Sequence, residues 1–114
     1  MRFECFEEII AWQKARDLAV AVYHLFKESR DFAFRNQIQR AAISISSNIA
    51  EGFERKTNEE FKYFLYIAKG SCAELRSLLH MSVDLKMIPQ EVSQCHIQDA
   101  TEVSKILSGL IKTL

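Results

Sequence analysis

Hydrophobic residues recur every three or four positions along almost the whole chain, which is the period of an α-helix. This pattern predicts four helices, at about residues 6–27, 35–55, 57–86 and 89–114. The chain has one proline and three glycines, and the alternation typical of β-strands is weak. Short connections between long helices favour antiparallel neighbours. The predicted fold is therefore all-α, an antiparallel up-down-up-down four-helix bundle that forms a single domain over residues 1–114.

Local signals mark where the helices begin. Thr57 and Glu60 have the spacing of a capping box, in which each side chain accepts a hydrogen bond from the backbone N–H of the other residue. Pro89 suits the first turn of the fourth helix. The connector at residues 28–34 contains Phe32 and Phe34, which are too apolar for a free loop. We expect this connector to fold over one end of the bundle.

Two glycines lie within predicted helices and carry different expectations. Gly52 is near the end of the second helix and is expected to loosen or terminate it. Gly70 is in the middle of the third helix, where glycine costs up to about 1 kcal/mol relative to alanine. The close approach of another helix would offset this cost, so we expect such a contact at Gly70.

Apolar and polar stripes occupy most of the circumference of the second predicted helix, so little of its surface is left to face solvent alone. Its apolar stripe is Ile38, Ala42, Ile45 and Ile49, and a polar stripe runs beside it at spacings of three or four. Buried polar groups must be paired, so we interpret the polar stripe and its counterpart on the third helix as a hydrogen-bonded network. The network lies either inside one bundle or at a contact between copies. Its predicted members are Gln37, Arg40, Ser44, Asn48, Glu51, Ser71 and Glu74.

The chain carries 15 basic and 15 acidic residues, so its formal net charge is zero. This balance argues against strong non-specific binding of nucleic acid by a single chain. The largest local excess of basic residues lies within residues 25–56 and is small. The candidate contacts to a nucleic-acid backbone are Arg35, Arg40, Arg55 and Lys56. A solvated charged surface is the simpler interpretation of the same four residues.

The sequence does not predict an enzyme. A bundle that holds two metal ions uses Glu-x-x-His pairs, and this chain has none, so neither a metal nor a cofactor is predicted. No histidine falls near Ser44 or Ser71 in the helical register, which disfavours a serine hydrolase. The three cysteines form no C-x-x-C pair, and no signal peptide or membrane-spanning run is apparent. We therefore expect a cytoplasmic protein without a membrane partner.

Residues 37–55, QIQRAAISISSNIAEGFER, resemble the signature of the small proteins encoded in intervening sequences of bacterial 23S ribosomal RNA. The resemblance continues through the third helix, in the first helix and in the tail at residues 105–112. Its most specific part is the Ser-Asn-Ile-Ala-Glu-Gly segment at residues 47–52. The other matching positions are Trp12, Ala15, Leu18, Val22, Tyr23, Thr57, Glu60, Phe61, Phe64, Leu65, Ala68, Gly70, Ser71, Glu74 and Leu75.

This resemblance implies a single antiparallel bundle that assembles into a homopentamer and has no enzyme activity. A related group serves as accessory subunit to the reverse transcriptase of diversity-generating retroelements, and its members are basic and bind nucleic acid. This chain departs from that group in its balanced charge, and it has Ser46 where the family often has proline.

Taken together, the residues and the resemblance predict a non-catalytic interaction module. We expect it to form a closed ring through the polar and small-residue faces of the second and third helices. The candidate partners are RNA and an RNA-handling protein. The alternatives are a structural scaffold without nucleic acid and, from a third class, a small metal-dependent or hydrolytic enzyme.

Overall fold

The structure, a computed structural model, describes residues 3–114 and contains four long helices. A short 3-10 helix (Phe6–Glu8) precedes α1 (Ile10–Phe26), α2 (Phe32–Phe53), α3 (Asn58–Asp84) and α4 (Gln90–Lys112). Each helix packs on the next in chain order, and α4 closes the arrangement by packing on α1. Within residues 3–114 there is no β-strand. The predicted all-α antiparallel four-helix bundle is confirmed.

The core consists of the apolar stripes that the periodicity predicts. The predicted stripe of α2 is completely buried, at 0% exposure for all four side chains. Burial of a leucine or isoleucine stabilises the fold by roughly 1.5–3 kcal/mol, so these stripes are the main source of stability. The largest buried side chains contributed by the other helices include Val22, Leu65, Leu75, Leu79, Val103 and Leu107.

The first helix begins at Ile10 rather than at the predicted residue 6. Ile9 has an extended backbone, with φ −77° and ψ 120°, and its side chain is buried. An extended residue cannot continue a helix, so the turn before it remains a separate 3-10 segment. The side chain of Gln13 donates a hydrogen bond to the carbonyl oxygen of Glu7 at 2.8 Å, which satisfies one carbonyl left free where this segment ends.

The second helix begins at Phe32, three residues earlier than predicted. Asp31 caps it, because its Oδ1 accepts a hydrogen bond from the backbone N–H of Phe34 at 3.1 Å. Phe34 packs on Phe26 with ring centroids 6.0 Å apart, as expected for a segment folded over the end of the bundle. The same expectation is wrong for Phe32, which is 59% exposed and lies under the guanidinium of Arg35.

The third and fourth helices begin close to their predicted positions. The capping box is present: the backbone N–H of Glu60 donates to Thr57 Oγ1 at 3.1 Å, and that of Thr57 donates to Glu60 Oε1 at 3.3 Å. The chain leaves α3 through Lys86, whose φ is +60°. Pro89 is the N-cap residue directly before α4, one position earlier than the first helical turn.

Within the described residues, the close helix contact that was expected at Gly70 is found at Gly52. Gly52 lies inside α2, and a Cβ atom added there would be 2.5 Å from Cβ of Phe64 and 3.1 Å from Cδ1 of Phe61. It therefore permits the close approach of α3 and does not terminate α2, which continues to Phe53. At Gly70 an added Cβ would meet nothing within 4 Å among residues 3–114. The close contact expected at Gly70 is absent from the described part of this chain.

Candidate functional site

Two hydrogen bonds join the predicted polar residues of α2 to those of α3. Gln37 Nε2 donates to Glu74 Oε2 at 2.7 Å, and the Ser44 hydroxyl donates to the Ser71 hydroxyl at 2.7 Å. Both serines are half-buried, as is Asn48, whose amide donates to the Ser44 carbonyl oxygen at 2.8 Å. We call these five residues the α2–α3 seam. The seam is a line of polar side chains in which Gln37 and Glu74 are exposed and the other three are half-buried.

The remaining predicted members lie outside this seam. Glu51 accepts a hydrogen bond from Arg55 at 3.2 Å, one turn along the same helix. Arg40 is exposed and forms no hydrogen bond or ion pair with any of residues 3–114. Within residues 3–114 the polar stripe therefore provides two separate cross-helix bonds, and a network completed at a contact between copies stays a prediction. Around the circumference of α2, Arg40 and Glu51 lie farther from the buried stripe than Ser44 does. Their side chains therefore reach water.

The hydroxyl groups of the seam are not placed for nucleophilic catalysis. Within the described chain neither Ser44 nor Ser71 bonds a histidine, and no three His, Cys, Asp or Glu side chains gather to hold a metal ion. Cys72 packs in the core, and its burial raises the pKa of the thiol to about 11. The thiol is therefore protonated at neutral pH. The seam offers hydrogen-bonding groups suited to contact with another surface.

The four basic residues proposed to contact nucleic acid do not form one patch. They are Arg35, Arg40, Arg55 and Lys56. Arg35 lies in the first turn of α2 and Arg55 lies just after its end, so nearly the whole length of α2, roughly 30 Å, separates them. The guanidinium of Arg55 also lies 4.7 Å from the centre of the Phe64 ring. Among these cations, Arg40 and Lys56 are exposed and have no ion pair within residues 3–114.

An apolar groove between α1 and α2 was not predicted from the sequence. It has a volume of about 290 Å³ and is lined by Ala19, Val20, Tyr23, His24 and Ile43. Val20, Tyr23 and Ile43 are each 45–52% exposed. The signal was present in the sequence, because these three residues lie off the buried stripes of their helices. We call this depression the α1–α2 groove.

Exposed large apolar side chains are distributed unevenly over the bundle. Those in the described chain lie on α1, α2 and α3 or just after α3, and none belongs to α4. The outward surface of α4 is polar and joins α1 through an ion pair between Glu102 and Lys14, with a nitrogen–oxygen distance of 3.6 Å. The exposed apolar residues are Ile10, Val20, Tyr23, Phe32, Ile43, Tyr63, Tyr66, Ile67, Met81 and Leu85.

Comparison with known proteins adds a family and a solved relative. Residues 7–109 match the profile of the 23S rRNA-intervening sequence protein family. The chain is also similar to the crystal structure of a protein of unknown function from the S23 ribosomal protein family of Bacteroides thetaiotaomicron. That similarity has 27% sequence identity and a TM-score of 0.84, and it covers 90% of this chain and 99% of the other. No protein of curated function matches the sequence. Over residues 3–114, no helix has both the length and the apolar character needed to cross a membrane.

Proposed function

This chain belongs to the 23S rRNA-intervening sequence protein family, and we propose that it is a non-catalytic interaction module that assembles with further copies of itself. The observation that carries this proposal is the concentration of exposed apolar side chains on α1–α3, while the described surface of α4 is polar. Burying apolar surface is favourable by about 25 cal/mol per Å². Clusters of exposed apolar residues therefore mark contact surfaces.

We place a subunit contact along the α2–α3 seam. Residues 41–50 of α2 carry no charged side chain, so a neighbour can pack there without removing an ion from water. The half-buried seam residues Ser44, Asn48 and Ser71 can hydrogen-bond to polar groups of that neighbour. In a closed ring, the contact face of every copy is covered by a neighbouring copy. The family resemblance of residues 37–55 suggests five copies.

The chemistry of the seam supports a non-catalytic role. Its two hydroxyls bond to each other, and nucleophilic catalysis by serine requires a neighbouring base. The protonated thiol of Cys72 is closed off in the core. In the proposed module these groups stabilise the packing of the helices. The module acts by binding partners and not by catalysing a reaction.

Native mass spectrometry of the purified protein at low salt tests the assembly. The expected result is a mass that is a whole multiple of 13.2 kDa, with five chains as the specific expectation. A Gln98→Glu variant, changed on the exposed surface of α4, should give the same mass. A monomer at all concentrations tested would refute the proposal.

A second candidate function, binding to an RNA backbone, is favoured by the exposed cations Arg40 and Lys56. A ring would present each of them once per subunit, which raises the local positive charge without requiring a basic chain. The Arg40→Ala change should weaken RNA binding and lower its salt slope by about one for each phosphate that the arginine neutralises. An affinity that does not vary with salt, or a protein purified without nucleic acid and unable to bind it, would leave a protein partner or a scaffold.

A further inference from the structure

Two hydrogen bonds define how α3 and α4 face each other. Lys69 on α3 donates to the Ser108 hydroxyl on α4 at 2.5 Å. Nearer the other end of the pair, the Ser93 hydroxyl on α4 donates to the carbonyl oxygen of Leu79 on α3 at 2.8 Å. Residues three or four positions from Lys69 and Ser108, counted along each helix, lie on the same faces as these two. The groove between the helices is therefore bordered by Lys69, Ala73 and Arg76 on α3 and by Lys105 and Ser108 on α4.

These five residues place three cations around one small side chain. Ala73 is exposed and lies one turn after Lys69 and one turn before Arg76. Because side chains on a helix lean towards its N-terminus, that of Arg76 leans towards Ala73. Since the helices are antiparallel, Lys105 lies one turn from Ser108 in the direction of Ala73. We call this set of five residues the α3–α4 cradle.

The two cations on α3 are half-buried and lie close to each other. The Nε atom of Arg76 is buried and has no hydrogen-bond partner within residues 3–114, and neither Arg76 nor Lys69 forms an ion pair there. Burial raises the pKa of the Cys72 thiol to about 11, and the positive charges of Arg76 and Lys69 oppose that rise. Both charges therefore act on the same side chain. An unpaired donor on a buried charged group is costly, and a bound anion would remove that cost.

The acidic residues near the cradle in sequence are directed towards other helices. Glu74 accepts a hydrogen bond from α2, and Glu102 forms an ion pair with α1. Asp99 lines the depression between α1 and α4. On the outer surface of α4, Asp99 and Glu102 also border a shallow depression together with Lys105. The two cations on α3 therefore supply most of the positive potential of the cradle.

We propose that the α3–α4 cradle binds a terminal phosphate group, the dianion of a phosphomonoester. A guanidinium donates two parallel hydrogen bonds to a phosphate, and an ammonium group adds a point charge. The Ser108 hydroxyl accepts from Lys69 and so keeps its own hydrogen to donate. A phosphomonoester carries nearly two negative charges at neutral pH, which matches the two cations on α3, whereas a carboxylate carries one.

This site goes beyond the function proposed above. The cradle lies on the flank of α3 that faces α4, whereas the seam residues Ser71 and Glu74 lie on the flank that faces α2. It also uses neither Arg40 nor Lys56, the cations proposed to contact an RNA backbone. Phosphate binding therefore requires neither the assembly nor that backbone contact.

Inorganic phosphate is the first probe. A ligand that binds only the folded protein raises its Tm, so thermal unfolding at pH 7.5 in increasing phosphate, at an ionic strength held constant with sodium chloride, gives the dissociation constant. Lys69→Gln removes a cation, and Ala73→Glu places a carboxylate between Lys69 and Arg76. Each should raise the dissociation constant for phosphate at least about tenfold. Ala73 is exposed, so Ala73→Glu keeps the test available if Lys69→Gln does not fold.

Lys27→Gln is the matched control, because it removes an exposed cation at the end of α1 by the same substitution. This variant should bind phosphate as tightly as the wild type, and it corrects for the general stabilisation that phosphate gives to folded proteins. If Lys69→Gln and Ala73→Glu also bound phosphate as tightly as the wild type, the cradle would not be the site and the inference would be overturned.

Two RNA oligonucleotides of one sequence, with a 5′-phosphate or a 5′-hydroxyl, identify the source of the phosphate. If the cradle holds an RNA end, the phosphorylated RNA should bind at least about tenfold more tightly, and Lys69→Gln should abolish the difference. Equal affinities, together with binding of inorganic phosphate, would assign the cradle to a small phosphate compound. A protein that binds inorganic phosphate no better than chloride and does not distinguish the two RNAs would overturn the inference. The native mass and the effect of Arg40→Ala report on the proposed function separately.

Discussion

Replacing Gly52 with alanine tests the closest approach between α2 and α3. The new methyl carbon would lie 2.5 Å from Cβ of Phe64, which is bonded directly to the backbone of α3. That atom cannot rotate away, so the two helices must separate locally. The ring of Phe61, 3.1 Å away, restricts the alternative shift. Overpacking of a core in this way costs about 1–3 kcal/mol.

The net effect is smaller than the overpacking cost, because alanine favours a helix over glycine by up to about 1 kcal/mol. We expect Gly52→Ala to lower the free energy of unfolding by about 1–2 kcal/mol. For a domain of this size, this corresponds to a decrease in Tm of about 4–10 °C. Urea denaturation and thermal unfolding followed by circular dichroism measure the change. Both require a fixed protein concentration, since self-assembly would make stability depend on concentration.

Gly109→Ala is the control for helix propensity alone. A Cβ atom at Gly109 would meet nothing within 4 Å among the described residues, and the position lies in α4, away from the proposed contacts. We expect this variant to be as stable as the wild type or up to about 1 kcal/mol more stable. If Gly52→Ala were equally stable, the inference that α3 requires a glycine at this point of α2 would be wrong.

Three further predictions concern the capping box, the seam and the buried thiol. Thr57→Ala should lower the free energy of unfolding by about 1 kcal/mol, whereas Thr57→Ser should retain it; equal losses would argue against the hydroxyl cap. A double-mutant cycle of Ser44→Ala and Ser71→Ala should give a coupling energy of about 0.5–1.5 kcal/mol, and additive effects would contradict their hydrogen bond. At pH 8 a thiol with a pKa of about 11 is roughly 0.1% ionised, so Cys72 should react with a disulfide reagent only on unfolding, after the exposed Cys95; simultaneous reaction would show that it is accessible.

The fold could be predicted because its determinants are periodic or local. Ile38, Ile45 and Ile49 are buried since their spacing puts them on one side of a helix, whatever packs there. The capping box joins Thr57 and Glu60, which are three residues apart, so its geometry needs no information from the rest of the chain. Predicting the buried stripe and the capping box therefore requires only the helical period of about 3.6 residues per turn.

Contacts between helices could not be derived in the same way. Periodicity identifies the face of a helix on which a glycine lies but not where along the helix a neighbour crosses it. A close helix contact was therefore expected at Gly70, whereas within residues 3–114 it lies at Gly52. Phe32 and Phe34 are two residues apart and hence point in nearly opposite directions on a helix. Only the position of the Asp31 cap decides that both belong to α2 and that Phe34 is the one that packs.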